Sequence, residues 1–547
     1  MEKKFQRKIV YQIYPASFKD NNNDGWGDLK GIISKLDYLK DLGIGIIWLS
    51  PIYASPMDDM GYDISDYKKI NPLFGTMEDF DLLIKEAKKR DIDIVMDLVI
   101  NHTSTEHEWF KKAIEEKENK YRNYYFIKQG KGKKQNKAPN NWQSAFSGSA
   151  WKKIDSLPGY YYLHLYCDTQ ADLNYDNEEV IKEVEEIIKF YLDKGVYGFR
   201  CDVINQIYKS SLKNDYRLVI HNRGSKYYLN QDKMFKILTR IRCEVLDNYD
   251  TFLVGETGEL SKEATRRFID ERCLDTFFEF EHTNADRTKF VPILKVKFKP
   301  KNFAKSIFKF QNRVPRMANY LENHDQLRSI NRYGNASDFY KESGKMLCLF
   351  LLSLRGTPFI YQGQEIGMLN YENNSFKDCK DVATVYVVNT INKYLHISKD
   401  KIFKIINNTI NRDNARSLMQ RNKNPNAGFN DGNKPWIKVN DLYTKINVED
   451  ELKDNSSILN FYKKMIKFRN ESEVLIKGSF KEELVTNSII SFYRKLDDKI
   501  YLIICNFSNK SKKYMNVINL KLLISNYEEE IVLDKLPPYF AGIYEVI

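Results

Sequence analysis

The chain has 547 residues, 42% of them hydrophobic and 14% aromatic, which is enough for a large core and about two to four domains. Its formal net charge is +12, from 86 basic and 74 acidic residues. The lysines are spread along the chain, and the arginine-rich tails and repeated basic-aromatic modules of nucleic-acid-binding proteins are missing. We therefore expect no nucleic-acid partner, while a positive field leaves room for a phosphorylated substrate.

Cysteine usage and hydropathy indicate the compartment. The seven cysteines are odd in number, widely spaced and without a C-x-x-C pair, which predicts reduced thiols. Residues 1–15 lack the long apolar segment of a signal peptide, and the most apolar stretch, residues 346–354, is too short to span a bilayer. We expect a cytoplasmic protein with no membrane attachment. The oligomeric state is left open, a monomer included.

Short apolar runs alternate with segments of helical periodicity along most of the chain. Between the first two runs, Leu and Ile recur every three or four residues up to Gly43, which suits the C′ position of a helix. Eight such alternations predict an α/β fold, the (β/α)8 TIM barrel. The predicted strands are residues 9–14, 44–49, 92–100, 196–202, 252–256, 274–280, 317–322 and 356–361.

Two segments depart from the barrel pattern. Residues 101–171 are rich in Trp, Tyr, Asn, Lys and Gly, and a connection of this length predicts a small inserted domain after strand 3. Residues 489–493 and 500–504 read as a hairpin, which favours a C-terminal antiparallel β-sandwich. The predicted domains are the barrel at 1–100 and 172–475, the insertion at 101–171, and the C-terminal domain at 476–547.

Three acidic residues stand at or just beyond the C-terminal ends of predicted strands: Asp202, Glu256 and Asp325. A carboxylate is costly to bury, and the C-terminal ends of barrel strands meet at one face of the fold. The pattern therefore predicts one converging acidic site. Two close carboxyl groups, one ionised and one protonated, are what cleavage of a glycosidic bond requires.

Five motifs in fixed order carry a resemblance to a known family. The sequence resembles the α-amylase superfamily of retaining glycosidases, in its branch of intracellular α-glucosidases, which includes oligo-1,6-glucosidases, dextran glucosidases and trehalose-6-phosphate hydrolases. The similarity runs from residue 9 to about residue 469 and is weaker after that. The motifs are residues 97–102 (DLVINH), 198–205 (GFRCDVIN), 254–256 (VGE), 321–326 (LENHDQ) and 356–365 (GTPFIYQGQE).

The resemblance implies a division of labour among the three acids. Asp202 would be the nucleophile, Glu256 the general acid/base and Asp325 the stabiliser of the transition state. Arg200 lies two residues before Asp202, so on a strand both side chains point the same way. A cation there lowers the pKa of the nucleophile, whereas nearby negative charge keeps the general acid protonated.

Further residues are implied in sugar binding. In relatives the Asp and Arg that match Asp59 and Arg412 pair behind one glucose and make the enzyme exo-acting. Tyr62 would stack on the sugar ring. His102 and His324, each at a strand end, would donate to hydroxyl groups, and Arg328 is a further candidate. An ordinary surface ion pair is the alternative for Asp59 and Arg412.

The segment 20–28 resembles an Asp-x-Asn-x-Asp metal loop of this branch. Side chains of Asp20, Asn22, Asp24 and Asp28, with the backbone carbonyl of Trp26, place oxygen ligands as Ca²⁺ requires. We expect a structural Ca²⁺ or Mg²⁺ and no organic cofactor. An EF-hand is excluded because its twelfth position is glycine, and a metal-free turn is the alternative.

Val203 follows the nucleophile directly, and in relatives valine there accompanies α-1,6 cleavage, although trehalose-6-phosphate hydrolases also carry it. The sequence therefore favours a retaining exo-acting α-glucosidase that cleaves terminal α-1,6-linked, isomaltose-type glucose from short oligosaccharides through a covalent glucosyl-Asp intermediate. The alternatives are a trehalose-6-phosphate hydrolase, a sucrose- or maltose-active α-glucosidase, and a transglucosidase. Two residues depart from the family pattern and put the chain-length and linkage preference in doubt. Arg421 stands where relatives have an aromatic residue, and we expect this cation to change the rim of the substrate entrance. Cys201 stands where they have Leu or Met.

Overall fold

Eight parallel strands form the centre of the computed structural model, which describes residues 4–115, 119–219, 221–288, 291–371, 375–515, 519–529 and 531–547. Their order is β6-β5-β4-β3-β2-β1-β8-β7. All eight coincide with predicted strands, so the predicted TIM barrel is confirmed. The strands are β1 (Val10–Ile13), β2 (Ile46–Leu49), β3 (Asp93–Leu98), β4 (Gly198–Cys201), β5 (Phe252–Glu256), β6 (Thr276–Phe278), β7 (Met317–Asn319) and β8 (Gly356–Tyr361).

The barrel is closed by packing rather than by a complete ladder. β6 and β7 lie next to each other but share no ladder hydrogen bonds among the described residues. Alternate strand residues such as Val10, Trp48, Val95, Phe252 and Phe359 point inward and fill the barrel. The interior is therefore a packed core, and the site must lie at one of its two ends.

A ring of helices covers the outside of the barrel. The ring helices are Leu36–Leu42, Met77–Lys89, Glu178–Asp193, Asp232–Glu244, Lys262–Asp270, Pro300–Gln311, Tyr340–Ser353 and Ile458–Glu471. The other α-helices are Pro15–Phe18, Leu29–Ile33, Glu108–Glu115, Ser329–Tyr333, Val382–Leu395, Lys399–Ile410, Asp413–Arg416, Val448–Lys453 and Glu473–Lys477. Across the described residues, each helix is too short or too polar to cross a membrane.

Local sequence explains where the ring helices begin and end. Thr76 accepts a hydrogen bond from the backbone N–H of Asp79, and the Asp79 side chain accepts one from the N–H of Thr76, which makes a capping box. Gly43 adopts φ 92° after Leu36–Leu42, as expected for a helix-ending glycine. The helix after Thr76 buries Phe80 and Leu83 against the barrel.

The long segment after β3 forms small sheets above the barrel. Ile127–Gln129, Tyr160–Leu163 and Trp151–Lys153 form a three-stranded antiparallel sheet, and His102–Ser104 pairs with Gln170–Asp172 at its base. A separate hairpin, Tyr53–Ala54 with Asp66–Ile70, rises beside it after β2. The domain boundary at residues 101 and 171 remains a prediction.

The C-terminal region is an antiparallel sheet, as predicted. Among the described residues its five strands form a single sheet rather than two. Phe480 and Phe492 on its inner face lie 4.7 and 5.4 Å from the ring of Phe308, on a barrel helix. The barrel helices thus occupy the place of a second sheet. The strands, in sheet order, are Ser479–Val485, Ile489–Leu496, Lys499–Asn506, Ala541–Val546 and Leu520–Ser525.

We predict that Gly198→Ala destabilises the protein by about 1–3 kcal/mol, because a Cβ at the start of β4 overpacks the barrel wall. An added Cβ at Gly198 would lie 1.9 Å from the backbone oxygen of Phe252 on β5. Gly258→Ala is the matched control, since a Cβ there meets nothing within 4 Å. Calorimetric melting should separate the two variants, and equal stability would contradict the close approach of β4 and β5.

Candidate active site

A cavity opens at the C-terminal ends of the barrel strands. Eight of the residues predicted for the site line it, together with three from the inserted segment that sequence reasoning missed. The eight are Asp59, Tyr62, His102, Asp202, Val203, Glu256, Asp325 and Arg412, and the three are Phe146, Tyr166 and Gln170. Arg200 and His324 lie directly beneath, at 2% and 1% exposure.

The guanidinium of Arg200 joins the acids at the floor of the cavity. Its Nη1 donates to Asp97 Oδ1 and to Asp202 Oδ1, each at 2.7 Å, and its Nη2 donates to Glu256 Oε2 at 2.6 Å. β3, β4 and β5 are neighbours in the barrel, so one cation is shared by three adjacent strand ends. The predicted convergence of Asp202 and Glu256 is therefore present in the fold.

Asp202 and Glu256 accept hydrogen bonds from the two terminal nitrogens of the same guanidinium, so their carboxyl groups lie side by side. Burial raises the pKa of Asp202 well above its usual value, and the charges of Glu256 and Asp97 add to this rise while Arg200 opposes it. The sequence position of Arg200 predicted a lowered pKa for Asp202. In the structure, burial and the two neighbouring carboxyl groups outweigh the effect of Arg200. Three carboxyl groups share one guanidinium, and three ionised groups would repel one another, so the cluster retains a proton.

Asp97, the first residue of the DLVINH motif, was not predicted as a site residue. It is 1% exposed, and its second oxygen accepts from the Tyr62 hydroxyl at 3.0 Å and from Trp48 Nε1 at 3.1 Å. Burial raises the pKa of Asp97 to about 6, although Arg200 opposes the rise. Its contacts hold both Arg200 and the ring of Tyr62 in place beneath the cavity.

Asp325 has a different electrostatic environment from Asp202. Its Oδ1 accepts from Arg416 Nη2 at 3.0 Å and from Arg412 Nη1 at 3.3 Å, and its Oδ2 lies 3.2 Å from His324 Nε2. Burial alone would raise the pKa of Asp325, but His324 and the two arginines hold it well below its usual value. Asp325 is therefore an anion at every physiological pH.

His324 is held as a neutral imidazole. Gln12 Nε2 lies 2.8 Å from its Nδ1, and the Tyr62 hydroxyl lies 2.7 Å from its Nε2. Burial lowers the pKa of His324 to about 3, with Arg200 and Arg416 contributing and Asp325 opposing. Its ring is stacked with that of Tyr62 at a centroid distance of 5.3 Å.

The rear wall of the cavity is an ion-pair network. Arg412 donates to Asp59 Oδ1 at 3.0 Å and to Asp381 Oδ1 at 2.6 Å, and Gln170 Nε2 donates to Asp59 Oδ2 at 3.3 Å. The predicted pairing of Asp59 with Arg412 is thus present, and it is buried rather than on the surface. Asp381, which also caps the helix Val382–Leu395, was not found from the sequence.

Aromatic side chains from the inserted segment form the side wall. The ring of Tyr166 lies 5.6 Å from that of His102 and 5.7 Å from that of Phe146, and the Arg412 guanidinium lies 5.4 Å from the Phe146 ring. His102 Nε2 lies 3.1 Å from the backbone oxygen of Tyr62, and burial lowers its pKa. Flat apolar faces beside carboxylates are suited to a sugar ring.

Val203 has an uncommon backbone conformation for its type. Its φ of 36° and ψ of 38° lie in the left-handed region, which costs a β-branched residue energy. This conformation directs its N–H to Glu256 Oε2 at 3.1 Å while the side chain lines the cavity. Val203 therefore helps to position Glu256 as well as shaping the cavity.

Two expectations are corrected by the structure. Arg328 does not line the cavity: it is fully buried, and its guanidinium donates to the backbone oxygens of Gln362 and Ala415 at 2.7 and 3.1 Å. Arg421, expected at the entrance, is buried against the ring of Phe18 at 4.3 Å. Both arginines follow site residues in the sequence, Arg328 after Asp325 and Arg421 after Arg412. Their side chains nevertheless point into the protein interior. Cys201 is also buried, within the barrel core cluster.

The predicted metal loop folds around its own carboxylates. Asp20 accepts from the N–H groups of Asn23 and Gly25, and Asp28 accepts from those of Asn21 and Gly31. Asp24 accepts from the N–H of Trp26 and from the Asn22 amide. In the described part of the chain, no three His, Cys, Asp or Glu side chains converge on one point as metal ligands. The loop lies beside the first barrel helices, away from the acid cluster.

Comparisons with known proteins agree with this geometry. A family model described as alpha amylase, catalytic domain, matches residues 12–478. The oligo-1,6-glucosidase of Parageobacillus thermoglucosidasius is 42% identical and aligns over 99% of both chains. The crystal structure of Bacillus licheniformis trehalose-6-phosphate hydrolase has a TM-score of 0.92 and 38% identity over 100% of both chains. That of the isomaltulose synthase from Protaminobacter rubrum has a TM-score of 0.95 and 35% identity, with the same coverage.

We predict that in the Asp97→Asn variant the free energy of unfolding falls less steeply as the pH rises from 4 to 6 than it does in the unmodified protein. In the folded protein burial raises the pKa of Asp97 to about 6, whereas the unfolded group ionises near its ordinary value. The group therefore favours folding most at low pH, and this contribution is lost as pH rises, by up to about 1.4 kcal/mol per pH unit. Urea unfolding at several pH values measures the slope, and identical slopes for the two proteins would contradict the assignment.

Proposed function

Since the chain belongs to the α-amylase family of glycoside hydrolases, we propose that it is a retaining, exo-acting α-glucosidase that releases terminal α-1,6-linked glucose from short isomaltose-type oligosaccharides. The observation that carries the proposal is that Asp202 and Glu256 share the Arg200 guanidinium at the floor of a cavity closed from behind. Retaining cleavage uses two carboxyl groups about 5 Å apart, too close to admit water between them.

In the proposed reaction Asp202 attacks the anomeric carbon while Glu256 gives its proton to the leaving oxygen. The glucosyl-Asp202 bond forms as the glycosidic bond breaks, and water activated by Glu256 then releases glucose. The arrangement of the cluster supports this, because Arg200 pairs directly with Asp202 and so favours its ionised, nucleophilic form. The permanently ionised Asp325 stabilises positive charge that develops on the ring.

Exo action follows from the rear wall. The Asp59–Arg412–Asp381 network stands behind the position of a single sugar, so a chain cannot extend past it. The buried ions also offer hydrogen bonds to the hydroxyl groups of the terminal glucose. Phe146 and Tyr166 supply aromatic faces beside that sugar.

The α-1,6 preference rests on Val203 and on the relatives. Val203 lines the cavity beside Glu256, on the side where the leaving sugar departs, and its branched side chain narrows that side. The oligo-1,6-glucosidase named above aligns over nearly the whole chain. Because the structure of a trehalose-6-phosphate hydrolase is also similar, trehalose-6-phosphate is the second candidate substrate.

A substrate panel tests the proposal. We expect kcat/KM for isomaltose to exceed that for maltose, sucrose and trehalose-6-phosphate by about tenfold or more, with α-glucose as the first product detected by NMR. Panose should be cleaved from its non-reducing end. Asp202→Asn should lower kcat by about 10⁴-fold or more, because the covalent step is lost.

Controls for the panel separate the alternatives. Asp58→Asn changes an exposed neighbour of Asp59 and should leave turnover unchanged. Activity confined to trehalose-6-phosphate would overturn the linkage assignment while keeping the mechanism. A glucosyl transfer product without free glucose would identify a transglucosidase, and full activity of Asp202→Asn would refute the mechanism.

We also propose that the loop 20–28 holds a structural Ca²⁺. Its donors Asp20, Asn22, Asp24, Asp28 and the carbonyl of Trp26 are all oxygens, which fits a hard cation. Each carboxylate accepts loop N–H groups through one or both oxygens and retains lone pairs for a cation. The ion would stabilise the loop without entering the reaction.

Thermal melting tests the metal proposal. We expect Ca²⁺ to raise the melting temperature of the chelator-treated protein by several degrees, because an ion that binds only the folded loop stabilises it. Asp24→Asn should abolish the increase, whereas Asp41→Asn, an exposed acid on a barrel helix, should keep it. Equal melting with Ca²⁺ and with excess chelator would overturn the proposal.

We also propose that the protein is located in the cytoplasm. All seven cysteines lie within the described residues and are free thiols, and five of them are buried, which suits a reducing compartment. The partner is a small oligosaccharide, and neither nucleic acid nor a membrane is required for the proposed reaction.

A further inference from the structure

A second cavity lies at the opposite end of the barrel from the acid cluster. It is formed where β7 and β8 begin and where the chain leaves the barrel for the C-terminal sheet. Among the residues that the structure describes, its lining contains two arginines, one lysine and no acidic residue. The lining residues are Gln6, Pro315, Arg316, Arg355, Gly356, Thr357, Ile476 and Lys477.

The two arginines of this cavity have no anionic partner among the described residues. In that part of the chain, neither the Arg316 nor the Arg355 guanidinium makes a hydrogen bond or an ion pair. Both side chains are half-buried. Lys477 differs, because it pairs with Glu473 at 2.7 Å. Two half-buried guanidinium groups in one cavity, without a carboxylate beside them among the described residues, leave donors free to bind an anion.

The backbone that carries Arg355 is rigid. Its N–H donates to Gln311 Oε1 at 2.6 Å, and its carbonyl accepts from Asn319 Nδ2 at 3.0 Å. The Gln311 amide in turn donates to Asn319 Oδ1 at 2.8 Å, and both amide side chains are buried. The cation is therefore presented from a fixed position rather than from a loose loop.

Two more arginines stand behind the same segment. Arg469 donates to the backbone oxygens of Leu352 and Gly356 at 2.7 and 2.6 Å, and Arg494 donates to that of Ser353 at 2.7 Å. Both are buried, and their hydrogen-bond partners are carbonyl oxygens rather than carboxylates. In the described part of the chain no carboxylate neutralises them, so their positive charge adds to that of the cavity.

The electrostatic consequences agree with this arrangement. Burial lowers the pKa of Arg355, and Arg316 lowers it further. Burial also lowers the pKa of Arg469 to about 10, and that of Arg494 falls well below its usual value with Arg469 and Arg355 contributing. The positive groups therefore repel one another, and an anion would relieve that repulsion.

We propose that this cavity is a binding site for a phosphate group, either inorganic phosphate or the phosphate of a sugar phosphate, held by Arg316 and Arg355. Guanidinium groups donate two parallel hydrogen bonds to phosphate oxygens, and Thr357 and Gln6 line the remaining wall. The site is separated from the acid cluster by the packed barrel interior. It goes beyond the proposed glucosidase activity and does not depend on it.

Isothermal titration calorimetry with sodium phosphate tests the site. Glucose is added in excess to occupy the cavity that contains Arg412, and the sodium chloride concentration is adjusted to constant ionic strength. We expect phosphate to bind with glucose present and to raise the melting temperature. The double variant Arg316→Gln/Arg355→Gln should bind phosphate about tenfold or more weakly.

The matched control is Arg313→Gln, which removes an exposed arginine three residues before Arg316. It should bind phosphate as the unmodified protein does. In chloride buffer Arg355→Gln should melt at a higher temperature, because a repulsive charge is removed. If the double variant does not fold, Arg355→Lys, which keeps the charge but loses the paired donors, should still weaken phosphate binding.

A parallel titration with glucose 6-phosphate distinguishes the two sources of the phosphate group. Tighter binding than that of inorganic phosphate assigns the cavity to a sugar phosphate, and equal binding assigns it to phosphate itself. Equal phosphate affinity of the double variant and the unmodified protein would overturn the proposal. Loss of phosphate binding on addition of glucose would also overturn it, because the anion would then occupy the active site.

Discussion

The shared guanidinium of Arg200 is the interaction on which the active site depends. It binds Asp97, Asp202 and Glu256, which stand on three neighbouring strands. One positive charge cannot neutralise three negative ones, so the cluster keeps a proton in a buried place. Retaining glycosidic cleavage needs such a state, with one carboxylate and one carboxylic acid in contact. The barrel provides it by aligning the ends of β3, β4 and β5.

The opposite charge balance surrounds Asp325. There two arginines and a neutral histidine face one carboxylate, so its pKa falls while that of Asp202 rises. Two aspartates thus differ in protonation because different numbers of cations surround them. Tyr62 connects the two regions, because its hydroxyl contacts both Asp97 and His324. A change in either region is therefore transmitted to a ring that lines the cavity.

The barrel and the acids could be predicted because their signals are local. Each strand is a short apolar run, and Asp202 and Glu256 follow directly from strand ends. The missed residues depend on tertiary structure: Asp381 meets Arg412 only because a helix begins beside the cavity. Arg328 was expected in the cavity for a related reason. Its position three residues after Asp325 in the sequence does not show that its side chain turns away, toward backbone carbonyl groups. The residues from the inserted segment, Phe146, Tyr166 and Gln170, lacked a motif that tied them to the site.

The two ends of the barrel differ in how they satisfy arginine. At the C-terminal end Arg200, Arg412 and Arg416 each face a carboxylate, so the charges are matched within the protein. At the N-terminal end Arg469 and Arg494 face only carbonyl oxygens, which accept hydrogen bonds but carry no full charge. A buried cation without a counterion costs free energy that a nearby anion recovers. Arginine therefore pairs with internal carboxylates at one end of the barrel. At the other end its positive charge is uncompensated and favours binding of an external anion.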